Sequence, residues 1–506
     1  MRPDIRADGW ATFLATVARH PDKIALLQAD REVSFAEALA QAEVQARALT
    51  KAGLRPGDRA VLHVGNSIAA ATLPVAMWAI GATPAFVPPE TVLADVVAMA
   101  AGIDARLIIS DTLADDPAGQ IFGLDRFAAL AGEASTGSIA GLSPALGSIV
   151  FTSGSSGQPK GVMQLQSTLI DGIRRVGQAV GFGAQDRVLC PVPWTHDYGW
   201  GQLLAVYVLG ITMILPERAG LSGIPEAVER HRPSVLGGMP SVYAGLTHGI
   251  SDIRARDRRS LRLMMTTGAT MPIRVLEALQ GLFETAALSL NFGMTETFRT
   301  TSLRYDPKRD PAITAGRAIP GVRLLIVNDA GAPCQIGETG EIVHAGAGVF
   351  EGYWGLPEAT ARTLRPDPGW QGEPPAPKAV FSGDLGYLDA SGLLFILDRK
   401  DRMVKTMGIK VSPLAVEHVL RAHPEVADVA VFALPHDILG AELRAAIVGY
   451  GNAEGLEQRL KRHVREHLSA PMQPRGFMVL PELPRRPSGK TDYTALLAMA
   501  TIRAVR

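Results

Sequence analysis

Little in this chain supports chemistry built on sulfur, clustered metals or a strongly charged surface. Its 506 residues hold 2 cysteines, Cys190 and Cys334, too few to staple a fold of this length. No CxxC spacing or Cys/His cluster suggests a metal site, so both read as small apolar residues. Lys+Arg and Asp+Glu number 50 each, and the formal net charge is zero, which leaves no basic excess for nucleic acid. Long apolar runs are also missing. Residues 69–87 come nearest, but Pro74, Gly81 and Pro84 interrupt them, and they read as a buried helix and strand rather than a membrane span. Residues 1–13 lack the basic segment and apolar run of a secretory leader. The expectation is a cytoplasmic enzyme with neither a nucleic-acid nor a membrane partner.

What is present is ordinary globular material, 47% apolar and 20% charged, in a chain longer than one core usually organises. Two or more domains are therefore expected. Residues 34–52 show helical periodicity, with Phe35, Leu39, Ala42, Ala46 and Leu49 at alternating fours and threes. Ser34 and Glu37 have capping-box spacing, and Gly53 follows where a helix would end. A Pro56-Gly57-Asp58 turn leads to a strand at 59–64, a helix at 68–80, and strands at 83–87 and 106–110. The alternation returns at 186–191, 212–215, 235–237, 263–266 and 287–291, which implies parallel α/β units.

From Gly321 the strands shorten (323–327, 341–344, 381–382, 393–397), as in a β-rich subdomain, and the Pro- and Gly-rich 366–377 reads as a surface loop. An α+β module starts near Arg402. It has helices at 413–422 and 455–468, and strands at 426–434, 442–450 and 476–480. The fold class is α/β: a large N-terminal part of parallel α/β subdomains plus a β-rich one, and a small C-terminal α+β module.

The sharpest motif is Phe151-Thr152-Ser153-Gly154-Ser155-Ser156-Gly157-Gln158-Pro159-Lys160-Gly161, directly after an apolar strand at 147–151. Hydroxyls and unhindered backbone N–H groups can cradle polyphosphate oxygens, and Lys160 adds a positive charge. It lacks the Gly-Lys-Ser/Thr ending of the nucleotide-kinase loop. Six further segments follow: Pro193 to Gly201, Thr267-Gly268-Ala269, Asn291-Phe292-Gly293-Met294-Thr295-Glu296, Ser382-Gly383-Asp384, Asp398-Arg399-Lys400-Asp401 and Lys405 to Pro413. Leu483 to Asp492, with Lys490, closes the series. Singly, each reads as a cap, a turn or a solvated lysine.

Taken in this order, across essentially the whole chain, the segments resemble the motifs of the adenylate-forming superfamily: acyl-CoA synthetases, peptide-synthetase adenylation domains and luciferases. The resemblance implies ATP and Mg²⁺. Thr152, Ser153, Gly154, Ser155, Ser156, Gly157 and Lys160 would hold phosphate. Gly268, Ala269, Asn291, Phe292 and Gly293 would flank adenine, Thr295 would contact the α-phosphate, and Glu296 would hold the metal. Asp384 and Arg399 would bind ribose, although Asp398 stands where the family usually has Gly. An N-terminal adenylation domain (1–398) would be joined through a hinge (399–401, centred on Asp401) to a small mobile lid (402–506). Gly408 would line a thiol tunnel, and Lys410 would contact phosphate. Lys490 would be catalytic with Thr295 and Glu296, stabilising charge in the adenylation step.

The acid and the acceptor stay open. His196, Asp197, Tyr198 and Trp200 fall at the acyl-pocket motif. Asp197 either meets a substrate ammonium or is held by a structural hydrogen bond, so a small carboxylic or amino acid is expected. The aromatic residues either form a tight pocket or belong to the core. The acceptor is a phosphopantetheine thiol, with a free-standing carrier protein favoured over CoA because Thr491-Asp492-Tyr493 after Lys490 resembles carrier-loading members. The alternatives are an acyl-CoA synthetase using free CoA, an adenylate former with an oxidative or amide-forming fate, and a nucleotide-binding regulator without catalysis.

Overall fold

The computed structural model describes the chain except residues 1–7, 116–118, 125, 126, 128, 131–145, 154–158, 219, 250, 311–313, 408, 437, 438, 451–453, 486–490, 505 and 506. The chain forms two compact units. The first comprises Met1–Leu325 and Val343–Phe381, and the second Ile326–Ile342 and Ser382–Arg506.

The first unit holds two large sheets. One has nine strands in the order Arg317–Ala318, Thr301–Tyr305, Ala287–Phe292, Leu263–Thr266, Val235–Gly238, Arg187–Leu189, Thr212–Leu215, Ile24–Gln28 and Arg31–Ser34. From Ala287–Phe292 to Ile24–Gln28 every pairing is parallel. The other has seven strands and is parallel through Thr83–Phe86, Arg59–His63, Leu107–Ser110 and Ile121–Gly123. Leu263–Thr266 and Thr212–Leu215 are buried along their whole length, as continuous apolar strands of a parallel sheet with both faces covered should be.

The capping box at Ser34 forms as its spacing predicts, opening the helix Phe35–Lys51. The helix expected over 68–80 is regular only at Leu73–Ala79. Pro74 has no N–H and fits only in a first turn, so it sets the helix start. This helix carries Trp78, which lies edge-on to Trp200 at 5.9 Å and to Tyr207 at 6.1 Å. No described helix is long and apolar enough to cross a membrane.

In the second unit, Val426–His436 pairs antiparallel with Gly440–Gly449, which pairs parallel with Gly476–Val479. The helices Pro413–Arg421 and Leu456–His467 supply Val416, Leu420, Leu460 and Val464 to its core. Ser382-Gly383-Asp384 lies inside the strand Lys378–Leu388. Gly383 adopts φ +73°, a left-handed kink open to glycine. This is how a turn-like triplet sits within a strand.

Glu417 is buried in this unit. It accepts from Arg402 Nη2 at 2.8 Å, the Val431 N–H at 2.9 Å and the Tyr493 hydroxyl at 3.0 Å. Arg402 also lies over the Tyr493 ring at 4.5 Å. Removing one partner of such a group strands the other charges. Glu417→Ala should therefore destabilise the second unit by on the order of 3 kcal/mol, seen as an early transition in chemical denaturation. The Arg402→Ala change should add little in the double mutant.

Candidate active site

The strands Leu146–Ser153 and Pro159–Leu165 form an antiparallel hairpin in which Thr152 faces Lys160 and Ser153 faces Pro159. Both ends of the phosphate motif are thus brought together, while Gly154, Ser155, Ser156 and Gly157 lie outside the described residues. Lys160 Nζ sits over the Tyr353 ring at 5.1 Å, and the Tyr353 hydroxyl donates to Glu296 Oε1 at 2.7 Å. Glu296 is 8% exposed. One aromatic side chain therefore ties the motif lysine to the candidate metal carboxylate.

The segment after Ala287–Phe292 folds back tightly. A Cβ on Gly293 would lie 3.0 Å from Arg299 Cα, so the return requires glycine. Asn291 Nδ2 donates to the Thr266 carbonyl at 3.1 Å, which ties this segment to the strand leading into Thr267-Gly268-Ala269. Gly268 has φ +91°. Thr300 Oγ1 lies 3.1 Å from His344 Nδ1, and His344 Nε2 lies 2.6 Å from the Ala347 carbonyl. That carbonyl can only accept, so Nε2 carries the proton and Nδ1 accepts. Burial pushes the His344 ring down to about 4, against the pull of that carbonyl, so the brace is neutral. Phe298, a non-glycine residue at φ 57°, is strained in a way seen where surroundings over-determine a segment.

The helix Asp197–Leu209 begins at His196. A Cβ on Gly199 would meet the Pro193 carbonyl at 2.1 Å, so only glycine permits this entry. Asp197 Oδ1 accepts from Gln164 Nε2 at 2.8 Å; of the two roles open for Asp197, the structural hydrogen bond is present. Gln164 Nε2 also donates to the Thr295 carbonyl at 3.0 Å, and its Oε1 accepts from Ser148 Oγ at 2.8 Å. Ser148 Oγ in turn accepts from Trp200 Nε1 at 3.2 Å.

Beside Asp197 lies a partly open pocket whose walls include Ile173, Val176, Phe182 and Phe298, with Asp197, Tyr198, Gln202, Asn291 and Arg299 as polar members. The Tyr198 hydroxyl donates to the Met265 carbonyl at 2.9 Å, and Arg299 lies over the Tyr198 ring at 5.4 Å. Burial pushes the Asp197 carboxyl up to about 7 despite the Gln164 bond and the nearby Arg299. Trp200 is fully buried among Trp78, Phe86 and Tyr207. Neither it nor His196 is on the cavity wall.

In the second unit, Asp384 and Arg399 face each other in register, with Nη1 to Oδ1 at 3.3 Å, and Arg399 Nε reaches Asp401 at 3.2 Å. Asp398 is buried. It accepts from Ser412 Oγ and the Leu414 N–H at 2.8 Å each, and from the Arg399 N–H at 2.7 Å. A carboxylate here thus caps the start of Pro413–Arg421. Lys410 is exposed on the small hairpin where it pairs with Lys405. Gly408 and Lys490 lie outside the described residues.

Gln164, Tyr353, Gln202 and Arg299 were missed by sequence reasoning. Gln202 alone carried a signal: it is the one amide in the otherwise apolar run Trp200 to Leu209.

The AMP-binding enzyme family matches residues 13–354, and the AMP-binding enzyme C-terminal domain matches residues 415–490. The chain is 28% identical over 488 residues to 4-coumarate–CoA ligase-like 6 of Oryza sativa subsp. japonica, covering 88% of this chain and 79% of that protein. It is 28% identical over 485 residues to 2-succinylbenzoate–CoA ligase of Geobacillus kaustophilus, covering 93% and 94%. In fold it is similar to o-succinylbenzoate CoA synthetase of Bacillus subtilis in complex with its acyl-adenylate intermediate, with TM-score 0.84, 24% identity, and 97% and 98% of the two chains covered. That enzyme has also been solved with ATP and a magnesium ion.

The raised Asp197 carboxyl has a measurable signature. Its ordinary value is 3.8 and its folded value about 7, so in this interval the folded protein holds a proton that the unfolded chain releases. The contribution is full below the ordinary value and is lost as pH rises through about 7. Asp197→Asn should flatten the fall of Tm over this range, as followed by calorimetric melts across a pH series.

Proposed function

The chain belongs to the AMP-binding enzyme family and is an AMP-forming acid–thiol ligase, and from that premise we propose that it joins a small carboxylic acid to free CoA through an acyl-adenylate. The observation that carries the reading is the carboxamide of Gln164. It joins Thr295, in the motif assigned to nucleotide, to Asp197 on the wall of the neighbouring pocket. An acid bound there would lie beside the phosphate-handling segment, and such proximity is what the first half-reaction requires. The expectation that favoured a carrier protein gives way here: both relatives above are named as CoA ligases, which supports free CoA as the acceptor.

The proposed roles follow from the motif resemblance. Thr152, Ser153 and Lys160, at the ends of the hairpin, hold phosphate with the 154–157 segment. Gly268, Ala269, Asn291, Phe292 and Gly293 flank the base, while Asp384 accepts from the ribose hydroxyls beside Arg399. Glu296 suits Mg²⁺: it is a single buried carboxylate, aimed by the Tyr353 hydroxyl, and a hard cation held by one carboxylate and substrate phosphates asks for little more. When bound, the ion would neutralise charge on the phosphate oxygens. Lys490, with Thr295, stabilises the transition state of adenylation.

For the second half-reaction, the lid (402–506) turns at Asp401, withdrawing Lys490 and presenting Gly408 and Lys410 to the phosphopantetheine thiol of CoA. Turning there requires Asp398 to release Ser412 and Leu414, so these bonds set part of the cost of the motion.

The test separates the two halves. Lys490→Ala should lower acid-dependent ATP–pyrophosphate exchange on the order of 10²–10³-fold, yet leave CoA thiolysis of a supplied acyl-adenylate largely intact. Equal loss of both would overturn the turning-lid account. Absence of exchange with every acid in a broad panel would overturn the ligase reading itself.

A further inference from the structure

Two polar side chains on the acid cavity are left without hydrogen-bond partners among the described residues. Arg299 is 8% exposed, and its Nε and Nη1 are unmatched. Gln202 is 3% exposed, and both its amide atoms are unmatched. Both line the same cavity. Buried polar groups normally find partners, and leaving them unmet costs more than an ordinary hydrogen bond returns.

Arg299 is the costlier of the two, because a guanidinium keeps its charge. Its guanidinium lies over the Tyr198 ring at 5.4 Å, and Nε and Nη1, on different edges of the group, are left unmatched. The side chain is also fixed from below. The Arg299 N–H donates to the Thr297 carbonyl at 2.6 Å. The Phe298 ring lies where a Cβ on Gly172 would come within 2.7 Å of it and one on Gly201 within 3.4 Å. Two glycines thus make room for the ring that sets Arg299 in place.

We propose, resting on the ligase reading above, that this cavity selects carboxylic acids bearing a second anionic group, and that Arg299 and Gln202 are the residues that read it. The second anion accepts from an unmatched N–H of Arg299 and from the Gln202 amide N–H. A guanidinium N–H forms a charge-assisted bond to a carboxylate or sulfonate. Ile173, Val176, Phe182 and Phe298 confine the connecting part to hydrocarbon or an aromatic ring. An ammonium in its place would face the Arg299 charge, and a purely apolar acid would leave both residues unmatched. A site built to bond a polar group discriminates strongly against analogues lacking it.

The experiment compares matched acids on the full-length chain: isophthalate against benzoate, and adipate against hexanoate. Affinity is measured by calorimetry, and turnover by ATP–pyrophosphate exchange. The dianion of at least one pair should bind at least about tenfold more tightly. In Arg299→Gln the gap should shrink to within about threefold, with the change in KM rather than kcat, while binding of the monoacid is kept. Should Arg299→Gln melt early, Gln202→Leu gives a second reading and should narrow the gap in the same direction. Equal or tighter binding of the monoacids, or a gap that persists in both variants, overturns the proposal. Selective binding of dianions without exchange for any acid would instead overturn the ligase reading and leave this one standing.

Discussion

One buried carboxamide links the parts of this site. Gln164 sits in the strand after the phosphate motif, and its three hydrogen bonds run to Ser148, Asp197 and the Thr295 carbonyl. These partners belong to the neighbouring strand, the cavity helix and the nucleotide segment. Because the amide has one acceptor and two donors fixed in a plane, its orientation ranks the three elements in space. Trp200 continues the chain through Ser148 into the aromatic core. The acid cavity and the nucleotide segment are therefore referenced to the buried aromatic cluster of the first unit, which suits a site needing near-attack geometry.

The cavity's electrostatics come from the same closeness. Asp197 lies at a helix start, where the dipole favours a carboxylate, yet burial raises its pKa. Arg299, in turn, has its pKa lowered by burial while Tyr198 and Asp197 oppose the shift. Both charges are held at a cost, a common condition of sites that recognise ligands rather than of sites that only stabilise a fold.

Much of this was legible from the chain alone. The parallel strands announced themselves as short apolar runs between helical periods. Asp384 with Arg399 could be placed together because both lie in labelled motifs. Local reading failed where the determining contact was distant. Pro74 truncated a helix that periodicity extended, and Trp200, open to a pocket or a core reading, went to the core. Gln164, Tyr353 and Arg299 lie outside or just past the motifs. Their partners are 16 to 131 residues away for Gln164 and 57 for Tyr353, separations at which no local pattern carries information. Asp398, a departure from the family's glycine, proved to be a helix cap, which only the fold could reveal.

The Phe298 ring has a consequence for how such a chain can change over generations. It lies against Gly172 on one helix and Gly201 on another, so the sizes of the three residues behave as one variable. A methyl group at 172 is open to this lineage only after 298 has become smaller, and a smaller 298 leaves a void until one of the glycines grows. Because residue 298 directly precedes the arginine on the cavity wall, substrate range and helix packing would drift together here. A shift in acid preference would then leave a trace two helices deep.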